Sequence, residues 1–94
     1  MENQFKPYTD KLAKTLQEKN DAYGDSFTES VNKFGLVVIP IRLSDKFNRI
    51  CQLVKHDKLK ENDESLQDTL LDMAGYSILA LKYLENRKED KEND

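Results

Sequence analysis

An all-α fold is what this chain predicts: a compact four-helix unit with a long C-terminal helix, dimerising through its helices. Three observations carry that expectation. Apolar residues recur at three- and four-residue steps along most of the 94 positions, the period of a helix and not of a strand. Only three Gly and two Pro are present, too few turn residues for a sandwich or barrel. Charged residues make up 35% against 37% apolar ones, a balance that suits helices burying one stripe each.

In the first helix, from about Glu2 to Asn20, that stripe is Phe5, Tyr8, Leu12, Leu16 and Lys19. Gly24 ends it, because a residue without Cβ takes a left-handed conformation at no steric cost. Ser26-Phe27-Thr28-Glu29 reads as a capping box opening a short second helix, which buries Phe27, Val31 and Phe34 and stops at Gly35. The run Leu36-Val37-Val38-Ile39-Pro40-Ile41 is rich in β-branched residues, yet no second strand exists to pair it. It is expected to be a buried connection into a third helix, with Pro40 in the first turn. That helix reaches about Lys55, with Leu43, Phe47, Ile50 and Val54 inward and Arg42, Asp45, Lys46 and Arg49 on an adjacent charged face.

After a polar turn at 56–61, Asn62 or Asp63 caps a fourth helix running to residue 87. Apolar residues cover more than half of its circumference, more than one buried face requires. Symmetric pairing of this helix is the simplest remedy, hence the expected homo-oligomer. Residues 1–87 form the single domain, and 88–94, with no apolar residue, the disordered charged tail.

Composition also excludes several roles. A net charge of −3 argues against direct duplex DNA binding, which draws on clustered Lys and Arg. Cys51 is alone, so no internal disulfide forms, and beside Phe47, Ile50 and Val54 it reads as a small buried hydrophobe. The longest apolar run, Leu36 to Ile41, is too short to span a bilayer, and no leader pattern opens the chain; no membrane partner and a cytoplasmic location are expected. No Ser-His-Asp set, zinc-spaced Cys/His cluster or glycine-rich phosphate loop is present, and the lone His56 falls in the polar turn.

Chemistry concentrates in two places. On the fourth helix Glu64, Asp68, Asp72 and Tyr76 recur every four residues, a step that drifts by only about 40°, so the four share one face. If helices three and four pair antiparallel about residue 59, Arg49 lies beside Asp68 or Thr69, Lys46 beside Asp72, and Arg42 beside Tyr76. These contacts read either as register-setting salt bridges or as a site in which Glu64, Asp68 and Asp72 hold Mg²⁺ while Arg42, Lys46 and Arg49 grip phosphates. The second place is the turn Lys19-Asn20-Asp21-Ala22-Tyr23-Gly24-Asp25-Ser26-Phe27. It gathers phosphate-binding, metal-binding and base-stacking groups, although the same residues are also ordinary turn and cap formers.

Together, Lys19-Asn20, Tyr23-Gly24-Asp25-Ser26-Phe27, Phe34-Gly35-Leu36, Arg42-Leu43-Ser44-Asp45-Lys46 with Arg49, and Glu64-Ser65 with Asp68-Thr69-Leu70-Leu71-Asp72 and Tyr76 resemble the first nucleotide-modification-associated domain family, over roughly residues 5 to 85. That resemblance implies a small helical protein of phage or prophage type that handles nucleotides in the host cell cytoplasm. Asp72-Met73-Ala74-Gly75-Tyr76-Ser77-Ile78-Leu79 is more distantly similar to the last core helix of MazG-like all-α nucleoside triphosphate pyrophosphohydrolases, which bind Mg²⁺ through paired acidic motifs and form oligomers. The third helix departs from that pattern, with Arg42, Asp45, Lys46 and Arg49 in place of Glu-x-x-Glu. Ala22 departs from the first family, which carries Asp there.

The expected function is therefore binding of a nucleotide or other small phosphorylated ligand. Its site residues are Lys19, Asn20, Tyr23, Asp25, Arg42, Asp45, Lys46, Arg49 and Tyr76, with Mg²⁺-dependent pyrophosphohydrolase-like turnover as its enzymatic form. The alternatives are a non-catalytic phage accessory protein that sequesters a nucleotide or inhibits a host defence factor, and a purely structural dimerisation module.

Overall fold

Four helices follow one another, with no strand among the described residues: α1 (Lys6–Tyr23), α2 (Ser26–Phe34), α3 (Val38–Lys55) and α4 (Asp63–Glu92). The computed structural model describes residues 2–55 and 63–92, with side chains described for 2–55 and 65–88. His56, the polar turn at 56–61, Asn62 and the last two residues lie outside the described residues, as does the side chain of Glu64.

Local chemistry sets the boundaries. α1 opens with Pro7 in its first turn, where a missing N–H costs nothing. It closes at Gly24, whose φ is 77° and whose N–H donates to the Asn20 carbonyl at 2.8 Å. The cap of α2 is Asp25 and not the expected Ser26: its carboxylate accepts the Thr28 N–H at 3.3 Å. A carboxylate complements the positive helix end better than a hydroxyl does. Gly35, with φ 90°, ends α2 by donating to the Val31 carbonyl at 2.7 Å. Pro40 falls in the first turn of α3.

The core is small. Phe27 and Val31 from α2, Val38 from α3 and Ala80 from α4 are buried together, with Ile39, Tyr76, Leu79 and Tyr83 packed around them. The Phe27 and Tyr76 rings meet at 6.1 Å, tilted by 39°, and the Tyr83 hydroxyl donates to Asn32 Oδ1 at 2.9 Å. α3 and α4 run antiparallel in the register expected of helices pairing about residue 59. Lys46 Nζ lies 3.4 Å from Asp72 Oδ2, and Arg49 Nε donates to Thr69 Oγ1 at 3.1 Å. Thr69 is buried, and its hydroxyl in turn donates to the Ser65 carbonyl at 2.6 Å.

Several expected inward residues face out. Phe47, Val54 and Cys51 on α3 are exposed, while Val38 and Leu53 are buried. Leu43 and Ile50 of the expected stripe are half-buried, and the inward face runs through Ile39, Leu43, Lys46, Ile50 and Leu53, so the helix is turned by roughly half a residue step, about 50°, from the stripe expected. Cys51 is thus not a core residue, because the α3 face that meets α4 carries Arg49 and Lys46. Phe34, Phe5 and Tyr8 are exposed as well, since no described element covers the ends of α1 and α2 on which they sit. In the connection at 36–41 only Val38 is buried, with Ile39 half-buried and Leu36, Val37 and Ile41 exposed. α4 continues as helix to Glu92, past residue 87, through Lys, Glu and Arg residues of high helix propensity. Among the described residues no helix is long and apolar enough to cross a membrane.

Candidate functional site

Where the C-terminal end of α1 and the turn after it face α3 and α4, a cleft of about 380 Å³ opens. All four helices contribute walls. α1 brings Lys19, Asn20 and Tyr23; the turn and α2 bring Asp25, Ser26, Phe27 and Ser30; α3 brings Arg42 and Lys46; α4 brings Asp72, Gly75 and Tyr76.

Asp72 is the electrostatic centre. Its Oδ1 lies 3.1 Å from Lys19 Nζ and its Oδ2 3.4 Å from Lys46 Nζ, so each carboxylate oxygen takes one ammonium group from a different helix. Asp72 is 29% exposed and Lys46 27%, which leaves both partly sheltered from solvent, whereas Lys19 is 56% exposed. Arg42 lies one helical turn from Lys46 on the same wall, and a third cation thereby joins the two that hold Asp72. The apolar side is supplied by Leu12, Leu16, Leu71 and Leu79.

Gly75 lies directly under α1. A Cβ at that position would stand 3.2 Å from Leu16 Cδ2, a tight contact that the leucine side chain would have to relieve by a few tenths of an ångström. A glycine inside a helix costs about 1 kcal/mol relative to alanine. Tyr23, 80% exposed, stands at the mouth of the cleft, whereas Tyr76 is half-buried within it against Phe27.

Lys19, Asn20, Tyr23, Asp25, Arg42, Lys46, Asp72 and Tyr76, each singled out in the sequence, therefore line one cleft. Asp45, Arg49 and Asp68 do not. Asp45 is exposed on α3, and Arg49 is engaged with Thr69 on another flank. Asp68 is exposed because the row of four-residue steps drifts by about 40° at each step, carrying it away from the α3 side that receives Asp72. Glu64 lies outside the described side chains. Among the described residues no three His, Cys, Asp or Glu side chains converge as metal ligands. Besides Ser26 of the turn already singled out, Thr15, Ser30 and Gly75 line the cleft and are not among the residues the sequence singles out for a site. Of these only Gly75 carries a signal, a lone glycine within an otherwise strong helix.

Comparison with known families supplies the deciding observation: residues 19–84, more than half of the chain, match the model described as nucleotide modification associated domain 1. The chain belongs to that family. The span shared with the nucleotide modification associated domain begins at Lys19, the first cation of the cleft, and takes in Tyr23, Arg42, Lys46, Asp72 and Tyr76. The earlier turns of α1, with Leu12 and Leu16, precede it. Comparison with curated proteins and with solved structures returns no match.

Proposed function

We propose that this chain binds a nucleoside phosphate in the four-helix cleft, its phosphates against Lys19, Arg42 and Lys46 and its base or sugar against Tyr23 or Tyr76. The observation that carries this reading is Asp72 held between two ammonium groups. Two lysines converging on one anion mark a place where an anionic oxygen is stabilised, and a phosphate, with more charge and more acceptor oxygens, competes for the same donors. The family description, with its reference to nucleotide modification, supports the same class of ligand.

The donor set suits phosphate better than a resident metal. Both oxygens of Asp72 face ammonium groups, and Asp68 is exposed outside the cleft. Mg²⁺ fits this reading as an ion that arrives with the ligand's phosphates, since it is commonly held by one or two carboxylates together with substrate oxygens. MazG-like pyrophosphohydrolysis is the enzymatic form of the proposal. Sequestration without turnover, as by a phage-type accessory protein, is the second reading, and the pairing of Asp72 with two lysines favours it. A nucleotide ligand places either activity in the cytoplasm.

Calorimetry with nucleoside mono-, di- and triphosphates, with and without Mg²⁺, tests the proposal. Lys46→Ala is expected to weaken binding about tenfold, equivalent to about 1.4 kcal/mol. Asp72→Asn, which releases both lysines, is expected to tighten metal-free binding. No heat with any nucleotide would remove the proposal. Weaker binding by Asp72→Asn, seen only when Mg²⁺ is present, would instead make Asp72 a metal ligand. Phosphate or pyrophosphate release in the same samples separates hydrolase from binder.

A further inference from the structure

From Met73 through Leu81, α4 carries no charged residue on any face. A helix segment without charge all round is normally buried all round. Here only one side is covered: Gly75 is buried under α1 and Ala80 in the core with α2, while Leu70 (50% exposed), Ile78, Leu81 (57%) and Leu84 lie open on the other. Leu70, Ala74, Ser77, Leu81 and Leu84 are spaced four, three, four and three residues apart, which lays them along one seam roughly 21 Å long.

We infer that this seam is the contact surface for a second copy of the chain, packed antiparallel about a two-fold axis. The inference is independent of what the cleft binds. Surface area is the first argument. The chain exposes 7670 Å², against roughly 5,600 Å² for a compact folded monomer of 11.0 kDa. That excess, roughly 2,000 Å², is spread over the whole chain, including the exposed Phe5, Tyr8, Phe34 and Phe47 of the other helices, and it leaves room on α4 for the ~800 Å² per partner that a stable interface of ordinary size covers.

Self-complementarity is the second argument, because a two-fold contact must fit itself. In the antiparallel register where facing positions sum to about 158, Ala74 faces Leu84 of the second copy and Ser77 faces Leu81, so each small residue receives a large one. Lys88 then overlies Leu70, with its aliphatic stem on the leucine and its ammonium group in water. Parallel pairing in register sets Lys88 against Lys88 and small residues against small ones, which is worse in both charge and shape. A lipid surface is a poor occupant, since helices that lie on membranes carry rows of Lys and Arg beside the apolar face. This chain has a net charge of −3, and Asp68 and Glu85 are exposed on the same helix.

Sedimentation equilibrium of the full chain tests the inference. The expected mass is twice the 11.0 kDa of one chain. Ser77→Arg is expected to halve that mass with unchanged helical circular dichroism, because Ser77 is exposed and takes no part in the chain's own core. Lys82→Glu, exposed but off the seam, is expected to leave the mass as it is. A parent chain that sediments at 11.0 kDa across the concentration series, a Ser77→Arg variant that keeps the double mass, or a monomer that floats with anionic phosphatidylserine vesicles would each overturn it.

Discussion

The first two helices both lean on α4, yet they are held in opposite ways. α2 has 9 residues and buries two of them, Phe27 and Val31. α1 has 18 and buries none. Its ties to α4 are the half-buried Leu12 and Leu16, the latter over Gly75, and the Lys19–Asp72 ion pair. Length therefore does not measure anchorage. An apolar residue deep in the core fixes a helix permanently, whereas partly exposed leucines and an ion pair hold one in a way that solvent and solutes can modulate. α2 belongs to the scaffold, and α1 is the wall of the cleft that is held without a buried residue of its own.

The contrast is sharpest in its energetics. Val31→Ala should cost about 2 kcal/mol, because it deletes two carbons at a site only 2% exposed and leaves a cavity. Chemical denaturation should report this loss as a lower midpoint with unchanged slope. Leu16→Ala should cost about 1 kcal/mol, since part of that side chain is already in water. Native-state hydrogen exchange should place the loss in α1 and leave the amides of α2 protected. Lys19→Ala should change global stability by less than about 1 kcal/mol, as expected of a pair with an exposed partner. Its effect should be faster exchange in the last turns of α1, and added salt should produce the same change in the parent chain. Equal global losses from Val31→Ala and Leu16→Ala would erase the distinction between the two helices.

Much of this is legible in the sequence. Gly24 and Gly35 mark helix ends because positive φ requires them, and Pro40 marks the first turn of α3. An antiparallel pairing of α3 and α4 about residue 59 levels Lys46 with Asp72 and Arg49 with Thr69, and the structure holds both contacts. The inward face of α3 is not legible. That helix has apolar residues on two adjacent flanks, and periodicity alone does not say which of Leu53 or Val54 meets α4. Cys51 is misplaced by periodicity for the same reason. Asp25 is hidden as a cap because Ser26 with Glu29 completes a capping pattern one residue later. In the cleft, the positions of Lys46 and Asp72 follow from helical geometry. Ser30 and Thr15 are invisible because nothing in their spacing distinguishes them from ordinary exposed polar positions.

Because the cleft takes a wall from every helix, it exists only while the whole chain is folded. Anything that settles there is thereby coupled to the global unfolding equilibrium. At a hundredfold excess over its dissociation constant an occupant contributes about 2.7 kcal/mol. In a domain this small, that raises the melting temperature by on the order of ten degrees. Heat resistance is thus a direct gauge of occupancy, and a library of small anions can be ranked on this molecule by thermometer before any reaction is known.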